Sequence, residues 1–302
     1  MNTTRTHPNS TLSWSAVIQL IKPRITMLVL VTAYLGYHLG LRSAGTMTLD
    51  TAHLILLFHL LLGTFLSSSG VSVLNQVMEW KYDRLMDRTK NRPIPSGVIS
   101  VKTGLILGLS LSVLGVAYLM AFTNPLAGFL SLATILLYTL IYTPSKRITT
   151  LNTLIGSIPG ALPPVGGWVA ATGSLDTPAW ILFGILFCWQ MPHFLAIAIM
   201  YAADYRKGGF KMIPSVYPNG WQTQYYMLFF TVAMLGMSFG LYLVDITGRF
   251  YAVGSVIAGL AFLAMVIKNL HFRERKNALA VMFSSIIYLP VLLAIIFLDG
   301  II

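Results

Sequence analysis

The chain has 302 residues, 56% of them hydrophobic and only 10% charged, against about 25% charged in soluble domains, so an ordinary soluble domain is excluded. Twenty Lys and Arg residues against nine Asp and Glu give a net charge of +11. That excess would suit nucleic acid if it covered a surface, but it is confined to segments between apolar runs. The single cysteine, Cys188, excludes an intramolecular disulfide and any cysteine-based metal site.

In chain order, residues 1–13 are polar, lack a cleavable-signal pattern and read as a disordered tail; residues 14–302 read as one transmembrane domain. Apolar runs close to the ~20 residues that cross a bilayer recur at 25–41, 54–78, 104–122, 125–143, 151–171, 178–202, 224–246, 249–268 and 278–299. The expected fold is an all-α membrane protein, a bundle of about nine transmembrane helices. The first span is expected to act as an uncleaved insertion signal. The fifth is the least regular, with Gly156, Pro159, Gly160, Pro163, Pro164, Gly166 and Gly167. Broken backbone is tolerated in a membrane where it lines a cavity or packs on neighbours, and a cavity wall is the expectation here.

The connecting segments divide by charge. If the segment after the second span faces the cytoplasm, 18 of the 20 basic residues fall on that side and only Arg42 and Arg249 fall outside. This is a positive-inside pattern. It predicts an integral, multi-pass protein of a bacterial-type inner membrane, with a cytoplasmic N-terminus and an outward C-terminus. The two largest inside loops, 79–103 and 203–223, follow the second and sixth spans. Asp83 and Asp204 lie 121 residues apart, with four spans between equivalent positions. A duplication of two four-helix units and two unrelated loops both fit that spacing.

Three of the nine acidic residues, Glu79, Asp83 and Asp87, recur every fourth position, and Asn75 extends the series. On a helix they form one ridge of oxygen ligands at the end of a span, where unpaired charge is costly. With Arg84, Arg88, Lys90 and Arg92 beside them, they suggest a Mg²⁺-diphosphate site, since Mg²⁺ is commonly shared between carboxylates and phosphates. The second inside loop carries Asp204, Arg206, Lys207, Gly208, Gly209 and Lys211. It reads either as a surface salt bridge or as a second carboxylate for the same diphosphate. Lys146 and Arg147 end the fourth span, as topology alone requires or as cations for a departing diphosphate. Gln190 and His193, three apart in the sixth span, share a face. The histidine either ties helices together or binds a substrate or its metal. His7, His38, His53, His59 and His271 show no metal-ligand spacing.

These segments resemble the UbiA-type intramembrane prenyltransferases, and within them the branch that farnesylates heme. The likeness runs from Lys22-Pro23-Arg24 to about Pro214. It rests on Asn75…Glu79…Asp83…Met86-Asp87-Arg88-Thr89…Arg92-Pro93, Tyr142-Thr143…Lys146-Arg147…Thr149…Asn152, Trp189-Gln190…Pro192-His193-Phe194 and Asp204-Tyr205…Gly209…Met212…Pro214. Glu79 stands where much of the superfamily has Asp, and Gly208 stands where many relatives have a second carboxylate. The resemblance implies a UbiA-like bundle around a central cavity open to lipid at the side. It implies farnesyl diphosphate as donor, heme B as acceptor, Mg²⁺ as cofactor and heme O as product for heme-copper oxidases, with possible contact to the proteins that assemble them. The implied catalytic residues are Asn75, Glu79, Asp83, Asp87 and Asp204, and the implied metal ligands are Asn75, Glu79, Asp83 and Asp204. Arg88, Arg92, Lys146, Arg147, Lys207 and Lys211 are implied to hold diphosphate. Gln190 and His193 are implied to meet heme, the histidine through the iron or a propionate. Two other readings stay open: another acceptor, such as a quinone precursor or chlorophyll-type ring, and a secondary transporter. A transporter's charges belong near the midplane, whereas these gather at one membrane face.

Overall fold

The computed structural model describes residues 13–46, 50–270 and 274–300. All but Ser13 of the expected polar tail, with Arg5 and His7, lies outside the described residues, as do His271 and Arg273.

A short helix, α1 (Trp14–Ile21), precedes the first span and lays Ala16 and Leu20 against Val73, Val77, Ile94 and Ile99. It ends at Lys22, whose φ of +49° turns the chain into α2 (Pro23–Ser43). Pro23, fixed near helical φ, starts the new helix. α3 (Thr51–Asp83) begins on Asp50, whose carboxylate accepts the His53 amide at 2.8 Å. Its 33 residues exceed the apolar run expected at 54–78. At the α-helical rise they span roughly 50 Å, well beyond a ~30 Å hydrocarbon core. α3 therefore carries Asn75, Glu79 and Asp83 on one continuous helix, where the sequence suggested that a loop begins at Glu79.

α4 (Val101–Phe122) runs back along α3. Its Gly104, Gly108, Ser112 and Gly115 meet Val77, Leu74, Gly70 and Ser67 in turn. Lipid is as apolar as the helices, so close backbone packing through small residues replaces hydrophobic attraction. The fourth span, Pro125–Ile148, comprises α5 (Pro125–Leu136), a π-helical segment (Leu137–Tyr142) and α6 (Thr143–Ile148). Pro144 explains the irregularity. It has no N–H for the Leu140 carbonyl and its ring crowds that carbonyl, which the wider π turn accommodates.

The fifth span divides, as its glycines and prolines suggested, into α7 (Asn152–Gly160) and α8 (Leu162–Thr172). α8 crosses α2 so closely that a Cβ on Gly36 would run into the Pro164 carbonyl oxygen, and one on Gly167 into the Ala33 carbonyl oxygen. Gly167→Ala is therefore expected to lower the thermal midpoint by several degrees, since overpacking a tight contact costs about 1–3 kcal/mol. A thermal scan in detergent checks this; an unchanged midpoint would mean that the two backbones separate without cost.

α9 (Thr177–Met200) is the sixth span. α10 (Ala202–Lys207) and α11 (Ile213–Val216) form the second charged loop, and α12 (Gln222–Leu243), α13 (Arg249–Leu270) and α14 (Arg275–Asp299) follow. Among the described residues nine segments are long and apolar enough to cross a membrane. Large apolar side chains such as Phe58, Val113, Phe129, Val253 and Ile287 point outward, as in a protein solvated by lipid. The protein is a multi-pass integral membrane bundle. Its largest buried cluster joins α5, α8, α9, α12, α13 and α14 around Trp168, Met191, Met234 and Tyr251. α2 and α14 are tied at their ends remote from the charged loops. There Asp299 accepts from Arg42 at 2.8 Å and from the Gly248 and Tyr251 amides at 2.7 and 3.0 Å, and Phe297 stacks on Tyr34 and meets His38 at a tilt.

An apolar cavity with an empty volume of about 830 Å³ lies between α2, α3, α4, α5, the π segment, α7 and α8. It follows α3 from Leu60 to Ser72, roughly 18 Å at helical rise. Pro159, Gly160, Pro163 and Gly166 form one wall, as expected of the broken span. The Ser67 and Thr134 hydroxyls turn back onto the Gly63 and Leu130 carbonyls at 2.8 Å, so the cavity presents mainly carbon.

Candidate active site

The charged end of the bundle is built on the last three turns of α3. Asn75, Glu79 and Asp83 are all buried, Asp83 to 1% exposure. Each faces a cation. Lys146 Nζ lies 2.6 Å from Glu79 Oε1, Arg92 donates to Asp83 Oδ2 at 2.8 Å, and Lys22 Nζ approaches Asn75 Oδ1 at 3.4 Å. The Asn75 amide also donates to Thr143 Oγ1 at 3.3 Å. Asp83 Oδ1 is buried without a hydrogen-bond partner among the described residues.

Local chemistry brings these cations in. After α3 ends, Thr89 donates to the Asp83 carbonyl at 2.9 Å, Arg84 to the Pro95 carbonyl at 2.7 Å and the Ile99 amide to the Pro93 carbonyl at 2.9 Å. The loop thus folds back and returns Arg92 to Asp83. On the fourth span, Lys146 lies 4.6 Å from the Tyr142 ring centre. Tyr142 meets Tyr138 edge-on at 4.9 Å, and Tyr138 lines the apolar cavity. The cavity mouth therefore abuts the ionic cluster. Lys22 was not expected from sequence. A non-glycine at φ +49° is uncommon and costs roughly 1–3 kcal/mol. Burial, and then the Arg92 and Lys146 charges, pull its ammonium down to about 7. Arg92 and Lys146 thus balance the two carboxylates, and an entering anion would favour the charged form of Lys22 and so draw a third positive charge to the site.

The remaining expected residues sit differently. α3 ends at Asp83, so Asp87 leaves the ridge; it is exposed and pairs with Lys207 and Lys90, both at 2.7 Å. Lys207, then Lys90, holds its carboxyl down at about 2. Asp204 accepts the Arg88 amide at 3.3 Å, while the Arg88 guanidinium lies over Tyr201 and Tyr205, 4.5 and 5.1 Å from the ring centres. Arg147 bonds the Tyr82 hydroxyl and covers its ring, and Lys211 Nζ donates to the Ile148 carbonyl at 3.3 Å. Beneath them Met86, Ala198, Phe210 and Met212 pack together, and the Lys211 amide donates to the Lys146 carbonyl at 2.7 Å. The second loop is thereby fastened over the first.

Gln190 and His193 diverge. The Gln190 amide donates to the Leu186 and Ser157 carbonyls at 3.0 and 3.3 Å, toward α7. His193 Nδ1 meets Ser285 Oγ of α14 at 2.8 Å.

Asp87→Asn is expected to reduce turnover by at most about fivefold, because exposed ion pairs contribute little. The depressed carboxyl adds stability above its ordinary range near 4, and that contribution is lost as pH falls through about 2. Amide exchange of residues 88–90 between pH 2 and 5 checks the tie, and turnover of the variant checks its small weight.

Oxygen donors fit a hard divalent cation. Among the described residues no three His, Cys, Asp or Glu side chains converge as a metal cluster. Two carboxylates, one with a buried unpartnered oxygen, and an amide oxygen suit Mg²⁺, whose sphere is commonly completed by water and substrate phosphate.

The UbiA prenyltransferase family profile matches residues 29–287, and the chain belongs to that family. It is an intramembrane prenyltransferase. The chain is 39% identical to the protoheme IX farnesyltransferase of Solibacter usitatus over 93% of this chain and 97% of that protein. It is 40% identical to that of Salinibacter ruber over 95% and 98%. Solved structures agree in fold. A digeranylgeranylglyceryl phosphate synthase superposes with a TM-score of 0.76 at 20% identity, covering 95% of this chain and 98% of that one. A UbiA homolog from Archaeoglobus fulgidus bound to GPP and Mg²⁺ gives 0.67 at 16% identity, covering 93% and 99%.

Proposed function

We propose that the chain transfers the farnesyl group of farnesyl diphosphate to a vinyl group of heme B, with addition of water, giving heme O and diphosphate. The observation that carries this reading is the cluster of half-buried Lys22, Arg92 and Lys146 with buried Glu79 and Asp83, set at the mouth of an apolar cavity. The near-full-length protoheme IX farnesyltransferase relatives support the choice of acceptor.

In this reading Asn75, Glu79 and Asp83 hold Mg²⁺. When bound, the ion supplies Lewis-acid neutralisation of the diphosphate. Arg92 and Lys146 exchange their carboxylate partners, and Lys22 the Asn75 amide oxygen, for phosphate oxygens, and the three stabilise charge as the C1–O bond breaks, its electron pair leaving with diphosphate. The prenyl chain lies in the cavity along α3, whose carbon walls keep water from the allylic cation. Tyr138 and Tyr142 offer ring faces beside that cation. The terminal vinyl carbon bonds to C1, positive charge moves to the carbon next to the porphyrin ring, and water adds there with loss of a proton. Asp204 fastens the second loop over the site through the Arg88 amide. The charged loops lie on the cytoplasmic side in this reading, as their basic residues support.

The test is incubation of purified protein with labelled farnesyl diphosphate and heme B, a quinone precursor or a chlorophyll-type ring, with and without Mg²⁺. Label in heme O alone is expected. Label in another acceptor, or Mg²⁺-independent transfer, would overturn the acceptor or the metal. Labelling of Ser96→Cys from either side of sealed vesicles tests orientation.

A further inference from the structure

The apolar cavity has a charged mouth and a closed floor. The mouth lies beside Ser72 and Tyr138. The floor is made by Leu60 of α3, Leu119 of α4 and Ala127 of α5, none more than 3% exposed. Among the described residues, none of α3 before Leu60 lines the cavity. Beneath the floor Leu60 and Leu119 pack with Tyr37, Leu41 and Ala170 in one buried cluster. The Tyr37 hydroxyl pins that cluster by donating to the His53 carbonyl at 2.8 Å. Leu119 lies against α3 because residue 63 is glycine; a Cβ there would come within 2.6 Å of Leu119 Cγ. The floor is thus set by two long helices in close contact, not by a loop that could give way.

The depth of the cavity matches one chain length. From Leu60 to Ser72 it follows α3 for roughly 18 Å. Three bonds of extended chain reach ~3.5 Å, so the four main-chain bonds of an isoprene unit add roughly 5 Å. The main chain of a farnesyl group then measures about 13 Å between its end carbons. Half a carbon–carbon contact at each end adds about 4 Å. A farnesyl chain therefore fills the cavity. A fourth isoprene unit needs close to one further turn of α3, at ~5.4 Å, and Leu60 and Leu119 occupy that turn. A geranyl chain leaves the lowest turn empty and forfeits its contacts there.

We infer that Leu60 and Leu119 set the length of the prenyl donor, admitting a chain of three isoprene units and stopping one of four. The inference rests on the prenyl chain lying in this cavity, as in the function proposed above. The two leucines touch the far end of the chain and take no part in breaking the C1–O bond. Truncating one of them to alanine removes three side-chain carbons, fewer than the five of an isoprene unit. Truncating both removes six, so the double variant is the one that opens room for a longer chain. Thr64 lines the cavity one turn closer to the mouth than Leu60. A large side chain there raises the floor by about one isoprene unit.

The experiment offers geranyl, farnesyl and geranylgeranyl diphosphate to detergent-solubilised full-length wild type, Leu60→Ala/Leu119→Ala and Thr64→Phe. It reads the affinity for each diphosphate without acceptor, kcat/KM for transfer of each chain to heme B, and the thermal midpoint. Wild type is expected to favour farnesyl over geranylgeranyl diphosphate by at least about 100-fold, since a single methylene against an apolar pocket is already worth roughly 10–200-fold. The double variant should lower that ratio by about 100-fold or invert it. Thr64→Phe should shift preference toward geranyl diphosphate by about 10-fold or more. It adds bulk to open space and removes no buried leucine, so it decides the matter if the double variant fails to fold. Equal use of farnesyl and geranylgeranyl diphosphate by wild type would overturn the inference without any variant. So would an unchanged length preference in a stable double variant, or in Thr64→Phe. These results would leave transfer to heme standing. A length preference in binding, with the chain then delivered to a different acceptor, would instead overturn the reading of function and leave the floor in place.

Discussion

Asp83→Asn is expected to lose about 10²–10³-fold in turnover, the range seen when one group that stabilises developing charge is removed, while keeping its fold. The asparagine is isosteric and can still accept from Arg92. Arg92 is 28% exposed, so its guanidinium reaches solvent when its partner loses charge, and the cost to stability is small. What disappears is the negative charge and the buried oxygen that lacks a partner within the protein. Turnover at rising Mg²⁺, read beside the thermal midpoint, checks this. Wild-type turnover of the variant without added metal would remove Asp83 from the metal site.

Lys146→Met is expected to weaken farnesyl diphosphate binding by roughly 10²-fold, the loss of a charge-assisted contact worth ~2–3 kcal/mol. It should also act on the resting protein. Lys146 and Glu79 are 14% and 7% exposed, and breaking a buried pair by removing one partner costs about 3–5 kcal/mol because the other charge is stranded. A divalent cation can take the place of the ammonium beside Glu79. The variant should therefore have a lowered thermal midpoint in chelator that Mg²⁺ partly restores, whereas wild type should respond less. Arg147→Ala, which removes a guanidinium lying over Tyr82 rather than one facing a carboxylate, is the comparison. Equal affinities for the two variants would return Lys146 to a purely topological role.

The spans were legible because crossing a bilayer is a demand on local composition alone; each expected run lies within a few residues of an observed helix. The Asn75–Glu79–Asp83 ridge was legible for a similar reason, since period four is a property of one helix. Where that helix stops was not. No glycine or proline lies between Asp83 and Asp87, and Arg84 keeps helical backbone angles, so nothing local separates Asp87 from the ridge. Lys22 was hidden by ambiguity. A lysine before the first span is what topology requires, and only its left-handed backbone and its approach to Asn75, 53 residues away, set it apart. Gln190 and His193 share an interval that suggested one ligand. α9 is flanked by α7 and α14, which divide the two residues between them. Such partition between neighbours is a tertiary fact that no spacing encodes.

The π-helical segment has a consequence for how this protein tolerates insertion and deletion. A π turn is an α-helix carrying one surplus residue. Upstream of it the fourth span is anchored by Asn124, whose side chain caps α5; downstream, Lys146 must present its amine to Glu79. Winding the same six residues as an ordinary α-helix, with none removed, would turn everything beyond them by roughly 100°. Lys146 would swing off the carboxylate and out of phase with the cavity mouth, although no ion-binding residue had been altered. The surplus residue and the wider turn thus set the phase of the site only as a pair, and a one-residue deletion that removes both would disturb Lys146 less than a change that unwinds the π turn alone.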